Sequence, residues 1–254
     1  MRQYRLLGIF AHPDDESRIV GGTLAKYVSE GANVSLLVAT RGEEGSCGEP
    51  PLCNVQDLPQ FRENELLHAC EILGISDLTI LDYRDGTLND VNREGLIGHC
   101  VAAIRRHQPD VVLTFGPEGR TLHPDHIAIH EAALAAFHLS GDPGVYTDDS
   151  LPAHTPRKLY YHIVPDSIAE QVSWRFPTQP DAEITLTLDV SPWIEQKRKA
   201  TNDAHRSQAH DLIFKGISDD VRWELLSTEH YVLAATNSLP IPASEVDMFD
   251  GLDE

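Results

Sequence analysis

The chain has 254 residues, of which 41% are hydrophobic and 24% are charged. This composition is typical of a soluble globular protein and excludes collagen-like, low-complexity and mostly disordered chains. With 20 basic and 40 acidic side chains the formal net charge is −20, and so acidic a surface disfavours binding to nucleic acids and to anionic membranes. The sequence offers neither the roughly 18-residue apolar run of a membrane span nor the apolar region of a signal peptide. We therefore expect a cytoplasmic protein, and the sequence leaves homo-oligomerisation open.

In chain order, the first half alternates apolar runs with amphipathic stretches, which is the pattern of βαβ units on a parallel sheet. We predict strands over residues 4–11, 33–39, 78–81 and 110–115. Helices are predicted over residues 16–30, 60–73, 92–107 and 123–139. The pattern predicts an α/β fold with a Rossmann-like, mostly parallel sheet flanked by helices.

The second half is predicted to extend this sheet with further strands and a helix. A loop over 141–156 precedes strands over 158–164 and 183–188, and a charged helix follows over 191–208. The last residues, 237–254, are rich in proline and acidic side chains and are expected to wrap the surface or fray. We expect a single domain over 1–254: a βαβ core with the metal site (1–139), a C-terminal elaboration (140–236) and an acidic tail (237–254).

The four cysteines are too few for a disulfide scaffold in a chain of this length. Cys70 and Cys100 lie in apolar helical patterns, so we expect buried thiols there. Cys47 and Cys53 share one loop and are compatible with a bridge or a metal ligand pair, although neither belongs to a C-x-x-C motif.

Two polar loops follow predicted strands, and ligands of open parallel sheets bind at the carboxyl ends of the strands. The first loop is A-H-P-D-D-E over residues 11–16, and the second contains H-P-D-H over residues 123–126. Two histidines and a carboxylate from separate loops form a common catalytic zinc set, with one position left for water. We therefore assign His12, Asp15 and His126 as metal ligands. The alternative is that His12 and its neighbouring aspartates only cap the following helix.

The remaining polar residues of these loops are candidates for catalysis. Asp14 is placed to accept a proton from metal-bound water as general base. His123 lies three residues before His126, where it can stabilise an oxyanion or protonate a leaving amine. Asp125 can hold an imidazole in one tautomer, but it is also an ordinary acid at a helix start. This arrangement predicts metal-assisted hydrolysis of an amide or ester, and no G-x-S-x-G nucleophile motif is present.

The order of several motifs resembles the LmbE/PIG-L-type N-acetylglucosaminyl deacetylases. Besides A-H-P-D-D-E and H-P-D-H, the matching segments are G-G-T-L-A (21–25), T-R-G-E-E-G (40–45), R-E-N-E (62–65), Y-R-D-G (83–86), F-G-P-E-G (115–119) and H-R-S-Q (205–208). The resemblance runs from about residue 6 to residue 208. It implies a Rossmann-like sheet that carries one zinc ion per chain and hydrolyses the acetamide of a glucosamine unit.

Carried over residue by residue, the resemblance supports the metal ligands and the roles of Asp14 and His123 given above. It also implies that Glu43, Arg62 and Asp85 line the sugar pocket. Spacing alone favours a structural interpretation of all three: Glu43 as a loop acid, Arg62 as a helix-surface charge and Asp85 as a turn former. His205 and Gln208, in the late helix, are compatible with a polar contact beneath the sheet or with a role in the site.

The function that we predict is therefore a zinc-dependent hydrolase that removes the N-acetyl group from a GlcNAc-containing small molecule. An amidase with the same machinery could instead cleave a larger acyl group or a thiol conjugate. A nucleotide-binding protein would need G-x-G-x-x-G after the first strand, and a non-catalytic carbohydrate-binding relative would lack Asp14 or His123. The aglycone (inositol, malate, a second sugar or an antibiotic scaffold) stays open, and two histidines with an aspartate also accept iron, cobalt or manganese.

Overall fold

A computed structural model of the protein describes residues 3–147, 150–172, 174–208, 216–237 and 245–252. The strands are β1 (Arg5–Phe10), β2 (Asn33–Thr40), β3 (Asp77–Tyr83), β4 (Val111–Phe115), β5 (Lys158–Ile163), β6 (Leu186–Asp189) and β7 (Thr228–Thr236). Together they form one sheet in the order β3-β2-β1-β4-β5-β7-β6. The pairs from β3 to β5 are parallel, whereas β7 runs antiparallel to both β5 and β6. The predicted mostly parallel sheet is confirmed.

Helices flank this sheet in two groups. The helices are α1 (Asp15–Ser29), α2 (Leu58–Leu73), α3 (Arg93–His107), α4 (Gly119–Leu122), α5 (Pro124–Leu139), α6 (Asp166–Ala169), α7 (Ile194–Lys199) and α8 (Asp219–Leu225). Helices α1, α2 and α7 pack against one another, α3 packs against α5, and both groups contact β1. The central strands are therefore covered on both sides, which explains why β1, β2 and β4 read as continuous apolar runs.

The elements predicted for the first half of the chain agree with the structure to within about two residues at most ends. Their signals are local and strong. Strands β1, β2 and β4 are apolar along most of their length, and Gly74 ends α2 in a left-handed conformation with φ of 77°. Helix α3 begins where the Asn92 side chain accepts the backbone N–H of Glu94.

The prediction of a single charged helix over 191–208 is wrong. Helix α7 covers only Ile194–Lys199, and a π-helical turn (Ala200–Ala204) and a 3₁₀ turn (Arg206–Gln208) follow it. The physical reason is tertiary, because His205 and Ser207 leave the helical path to make buried hydrogen bonds with acids of α1 and α2. The strand predicted over 183–188 also starts later, at Leu186, since Asp181–Glu183 form a 3₁₀ turn.

The described part of the acidic tail, residues 245–252, packs against the core instead of fraying. Met248 and Leu252 are fully buried. The Lys158 ammonium donates to a Glu245 carboxylate oxygen at 2.6 Å, and Tyr160 donates to the other oxygen of that carboxylate at 2.6 Å. The remaining tail residues, 238–244 and 253–254, and residues 148–149 of the predicted 141–156 loop lie outside the described residues.

All four cysteines lie in the described part of the chain and are free thiols. Cys70 and Cys100 are buried as predicted. Cys47 and Cys53 lie side by side, and partial burial together with this contact raises the pKa of Cys53 to about 11. Within the described ranges no helix has the length and apolar character needed to cross a membrane.

Candidate functional site

The candidate site lies at the carboxyl ends of β1 and β4, where the strand order reverses direction from β3-β2-β1 to β4-β5. Such a reversal leaves a crevice between the loops that follow the two strands. Residues 11–16 follow β1, and residues 116–126 follow β4. The loops after β2 and β3 complete one wall, so a cleft of about 320 Å³, open to solvent, contains both predicted metal-ligand loops.

The three predicted metal ligands are brought together. The His12 Nδ1 atom lies 3.0 Å from His126 Nε2 and 3.7 Å from an Asp15 carboxylate oxygen. The other Asp15 oxygen lies 3.5 Å from His126 Nε2. All three side chains are buried. Ligand atoms about 2.0–2.2 Å from a tetrahedral zinc ion lie roughly 3.3 Å apart. The two histidine nitrogens are spaced in this way. Different Asp15 oxygens approach the two imidazoles, so Asp15 as the third ligand stays a prediction.

Hydrogen bonds orient the two imidazoles toward each other. His126 donates from Nδ1 to the Gly119 carbonyl oxygen at 3.0 Å, which leaves the lone pair of its Nε2 free. His12 donates from Nε2 to carboxylates of Asp85 at 2.9 Å and Asp125 at 3.2 Å, which frees its Nδ1. The two ring nitrogens therefore face each other across 3.0 Å. A positive charge between them, either the proton of a protonated His12 or a bound cation, removes the repulsion of their lone pairs.

The electrostatics of the cluster favour such a positive charge. Burial lowers the pKa of His12, but the Asp125 and Asp85 carboxylates outweigh it and raise this pKa to about 10. Burial also raises the pKa of Asp15 to about 7, against the opposing effect of His12. Burial and the neighbouring His12 charge hold the pKa of His126 well below its ordinary value. A divalent cation at this point would stabilise the ionised carboxylate and the neutral imidazoles together.

Further possible metal ligands surround the position between His12 Nδ1 and His126 Nε2. Ligand atoms of His12, His123 and His126 lie within 4.8 Å of one another, as do those of His12, Asp85 and Asp125. The residues present therefore fit a metal ion, by donor type as well as by spacing.

Asp14 occupies an unusual backbone conformation at the edge of the cleft, with φ of 121° and ψ of −20°. Its carboxylate lies 3.2 Å from the Arg18 guanidinium and 3.3 Å from that of Arg62. Burial would raise the pKa of Asp14, but the Arg62 and Arg18 charges outweigh it and lower the pKa below its ordinary value. Asp14 is therefore an ionised acceptor at neutral pH.

His123 is half-buried and lines the cleft beside the metal-ligand cluster. Its Nδ1 atom accepts the backbone N–H of Asp125 at 3.2 Å. The proton of the neutral ring is therefore on Nε2. Burial and the charge of His12 lower the pKa of His123, so the ring is a neutral hydrogen-bond donor near pH 7.

Asp125 is fully buried, and both of its oxygens are occupied. One accepts the Leu88 N–H at 2.9 Å, and the other accepts the Gly86 N–H at 2.7 Å and faces His12 Nε2. The imidazole that Asp125 orients is thus His12. It does so from behind the ring, as carboxylates beneath metal-bound histidines do.

The three predicted sugar-pocket residues have different positions. Arg62 and Asp85 line the cleft, and Arg62 is buried and donates to the carbonyl oxygens of Gly42 and Pro13. Glu43 instead accepts the Asp85 N–H at 3.1 Å, and Glu44 is the acid of that loop that lines the cleft. The role of Glu43 in sugar binding stays a prediction.

Three residues that line the cleft, Arg18, Glu44 and Arg120, were not predicted to belong to the site. Gln208, for which a role in the site was left open, lines the cleft as well. Arg18 had a signal, because it lies four residues after Asp14 on the same helix face. Arg120, with φ of 62°, had no comparable signal in the sequence.

A mostly parallel sheet with a cluster of histidines and aspartates at its switch point defines an α/β protein with a candidate metal centre. A family model described as GlcNAc-PI de-N-acetylase (PIG-L) matches residues 7–137, a span that holds both ligand loops. The chain belongs to this PIG-L family of de-N-acetylases.

Similar proteins support the assignment. A 1D-myo-inositol 2-acetamido-2-deoxy-alpha-D-glucopyranoside deacetylase of Rhodococcus jostii is 33% identical over 99% of both chains. The solved structure of the conserved protein TT1542 from Thermus thermophilus is 28% identical, with a TM-score of 0.68 over 95% of this chain and 99% of that one. The N,N'-diacetylchitobiose deacetylase from Pyrococcus horikoshii shares the fold, at 22% identity and a TM-score of 0.69 over 89% and 82% of the two chains.

Proposed function

We propose that this protein is a zinc-dependent hydrolase that removes the acetyl group from an N-acetylglucosamine unit of a small-molecule glycoside. The observation that carries the proposal is the pair of imidazole nitrogens, His12 Nδ1 and His126 Nε2, that lie 3.0 Å apart beside the Asp15 carboxylate. These three residues would hold the ion. When bound, it would polarise the acetamide carbonyl and lower the pKa of a water molecule.

Asp14 supplies the general base. Its carboxylate is ionised, borders the cleft and is fixed by two guanidinium groups. It accepts the proton of the water molecule that attacks the acetamide carbon, so that attack and proton transfer occur together. The two arginines prevent the carboxylate from turning into the ligand set next to Asp15.

His123 supplies a hydrogen bond to the reacting carbonyl oxygen. Because the Asp125 N–H occupies Nδ1, the Nε2–H group is the one that is free to donate. A neutral donor that is already oriented stabilises the negative charge as it develops on the oxygen. The amine then leaves after protonation, for which the proton held by Asp14 is the nearest source.

The glycoside that we propose first is the one named in the Rhodococcus relative, N-acetylglucosaminyl-1D-myo-inositol. The support is 33% identity along the whole of both chains and a cleft within the usual range of about 300–1,000 Å³ for small-molecule sites. Arg62, Asp85 and Arg120 line the cleft, so positive and negative groups both border the space for the glycoside.

The experiment is a comparison of free-amine release from N-acetylglucosaminyl inositol, N,N'-diacetylchitobiose, a methyl N-acetylglucosaminide and the inositol glycoside with a larger N-acyl group. We expect release from the inositol glycoside with the highest kcat/KM. Preference for another glycoside would keep deacetylation and change the substrate. Release only from substrates with a larger acyl group would replace deacetylation by the amidase alternative.

A further inference from the structure

The backbone of Asp14 is held as firmly as its side chain. A φ of 121° lies outside the conformations that L-residues adopt readily. The Asp14 N–H donates to a Glu16 carboxylate oxygen at 2.9 Å, and its carbonyl oxygen accepts the Ser17 hydroxyl at 3.1 Å and the Arg18 N–H at 3.0 Å. A strained conformation persists only where the surroundings impose it.

Glu16 is in turn held from the far end of the chain. Its second oxygen lies 2.7 Å from His205 Nε2, across 189 residues of sequence. Both side chains have no solvent exposure. The other ring nitrogen of His205, Nδ1, is buried without a hydrogen-bond partner among the described residues. The imidazole thus has one polar contact there, and that contact is the Glu16 carboxylate.

Ordinary helix capping does not account for this pair. A capping glutamate normally lies three residues after the N-cap, at the surface, whereas Glu16 lies two residues after Asp14 and is completely buried. A buried carboxylate is costly unless it is paired, and the pairing requires the helix at 191–208 to break so that His205 can point inward. The same segment reaches the Asp14 side chain too, because the Gln208 carbonyl oxygen accepts the Arg18 guanidinium.

We propose that Glu16 and His205 are positioning residues that hold the main chain of Asp14 so that its carboxylate faces the cleft. The inference rests on the proposed function, in which Asp14 is the general base. Because Glu16 and His205 position the general base Asp14, the pair determines kcat. It leaves substrate affinity and metal binding unchanged, because neither residue lines the cleft.

The test uses Glu16→Asp, which keeps the buried charge but is one methylene too short to reach both Asp14 and His205. We expect kcat to fall about 10–100-fold, the loss that follows a misplacement of about 1 Å at a reacting group. KM and the metal content should stay unchanged. Glu16→Gln keeps the side-chain length and one oxygen acceptor, and we expect it to retain most of the wild-type kcat.

Glu229→Asp is the matched control. Glu229 is a buried carboxylate that also accepts main-chain N–H groups of α1, from Gly22 at 3.0 Å and Thr23 at 2.9 Å, but it does not contact Asp14. Shortening Glu229 by one methylene should lower thermal stability and leave kcat within about 2-fold of the wild type. His205→Ala removes the partner of the Glu16 carboxylate, and we expect it to lower kcat as Glu16→Asp does.

Two readouts separate positioning from a general structural role. In an Asp14→Asn background, Glu16→Asp should cause no further loss of kcat, because groups that act as a unit are not additive. Amide hydrogen exchange at Asp14, followed by NMR, should accelerate at least about 10-fold in Glu16→Asp and stay slow in Glu229→Asp.

Equal losses of kcat in the wild-type and Asp14→Asn backgrounds, or unchanged exchange at the Asp14 amide, would overturn the proposal. The exchange measurement needs no turnover. If the wild-type protein released no amine from any substrate, the proposed function would fail, and the exchange result would still decide whether Glu16 holds Asp14.

Discussion

The replacement Asp125→Asn tests how the metal-ligand cluster is oriented. The carboxylate faces three donors, namely the Leu88 N–H, the Gly86 N–H and His12 Nε2. An amide offers one oxygen, so its NH₂ group must face at least one of them. Leaving one buried N–H without an acceptor costs about 1–3 kcal/mol. For a chain of this size, a loss of about 2 kcal/mol lowers Tm by roughly 4–8 °C.

The same change should weaken metal binding, because the partner of a metal-bound imidazole typically contributes 10–100-fold in affinity. Thermal unfolding of the metal-free protein measures the loss of stability. Competition with a chelator of known affinity measures the loss of zinc affinity. Asp82→Asn is the control, since the Asp82 side chain is 88% exposed and pairs with Arg41 at the surface. If Asp125→Asn leaves both Tm and Kd for zinc unchanged, Asp125 does not orient His12 and the reasoning is refuted.

Three further changes probe other parts of the structure. Asp14→Asn should lower kcat about 10²–10⁴-fold with zinc still bound; loss of the metal, measured by atomic absorption, would place Asp14 among the ligands. Glu245→Ala leaves the Lys158 ammonium buried without its carboxylate, so urea unfolding should show a loss of about 3 kcal/mol or more, and a loss below about 0.5 kcal/mol would contradict the buried pair. Burial holds the pKa of His162 well below its ordinary 6.5. Below pH 6.5 this imidazole therefore binds a proton in the unfolded chain but not in the folded chain. Stability should therefore fall with pH from about 6.5 downward, and His162→Gln should reduce that slope by up to about 1.4 kcal/mol per pH unit; an unchanged slope would show that this imidazole does not stay neutral.

The parallel half of the fold and the placement of the ligand loops could be predicted because their signals are local. Apolar runs define the strands, and the polar segments A-H-P-D-D-E and H-P-D-H follow two of them directly. Since parallel strands end at one edge of the sheet, residues 114 positions apart in sequence, His12 and His126, were expected to meet, and they do.

The rest depends on contacts between distant segments, which one sequence does not reveal. The charge pattern of 191–208 predicts an unbroken helix, and only the buried partners of His205 and Ser207 explain why it breaks. Strand β7 and the docking of residues 245–252 were missed for the same reason. Between Glu43 and Glu44, adjacent acids of one loop, spacing cannot tell which side chain turns to the cleft; that depends on the Asp85 N–H, which Glu43 accepts.

The central claim is that a metal ion held by His12, Asp15 and His126 makes this protein a deacetylase. The most direct measurement is amine release from N-acetylglucosaminyl inositol by one preparation in three states: as purified, stripped with a chelator, and reloaded with one equivalent of zinc. We expect loss of activity on stripping and recovery at one zinc per chain. Full activity in stripped protein that contains no detectable metal would contradict it, as would inactivity of protein shown to hold one zinc ion per chain.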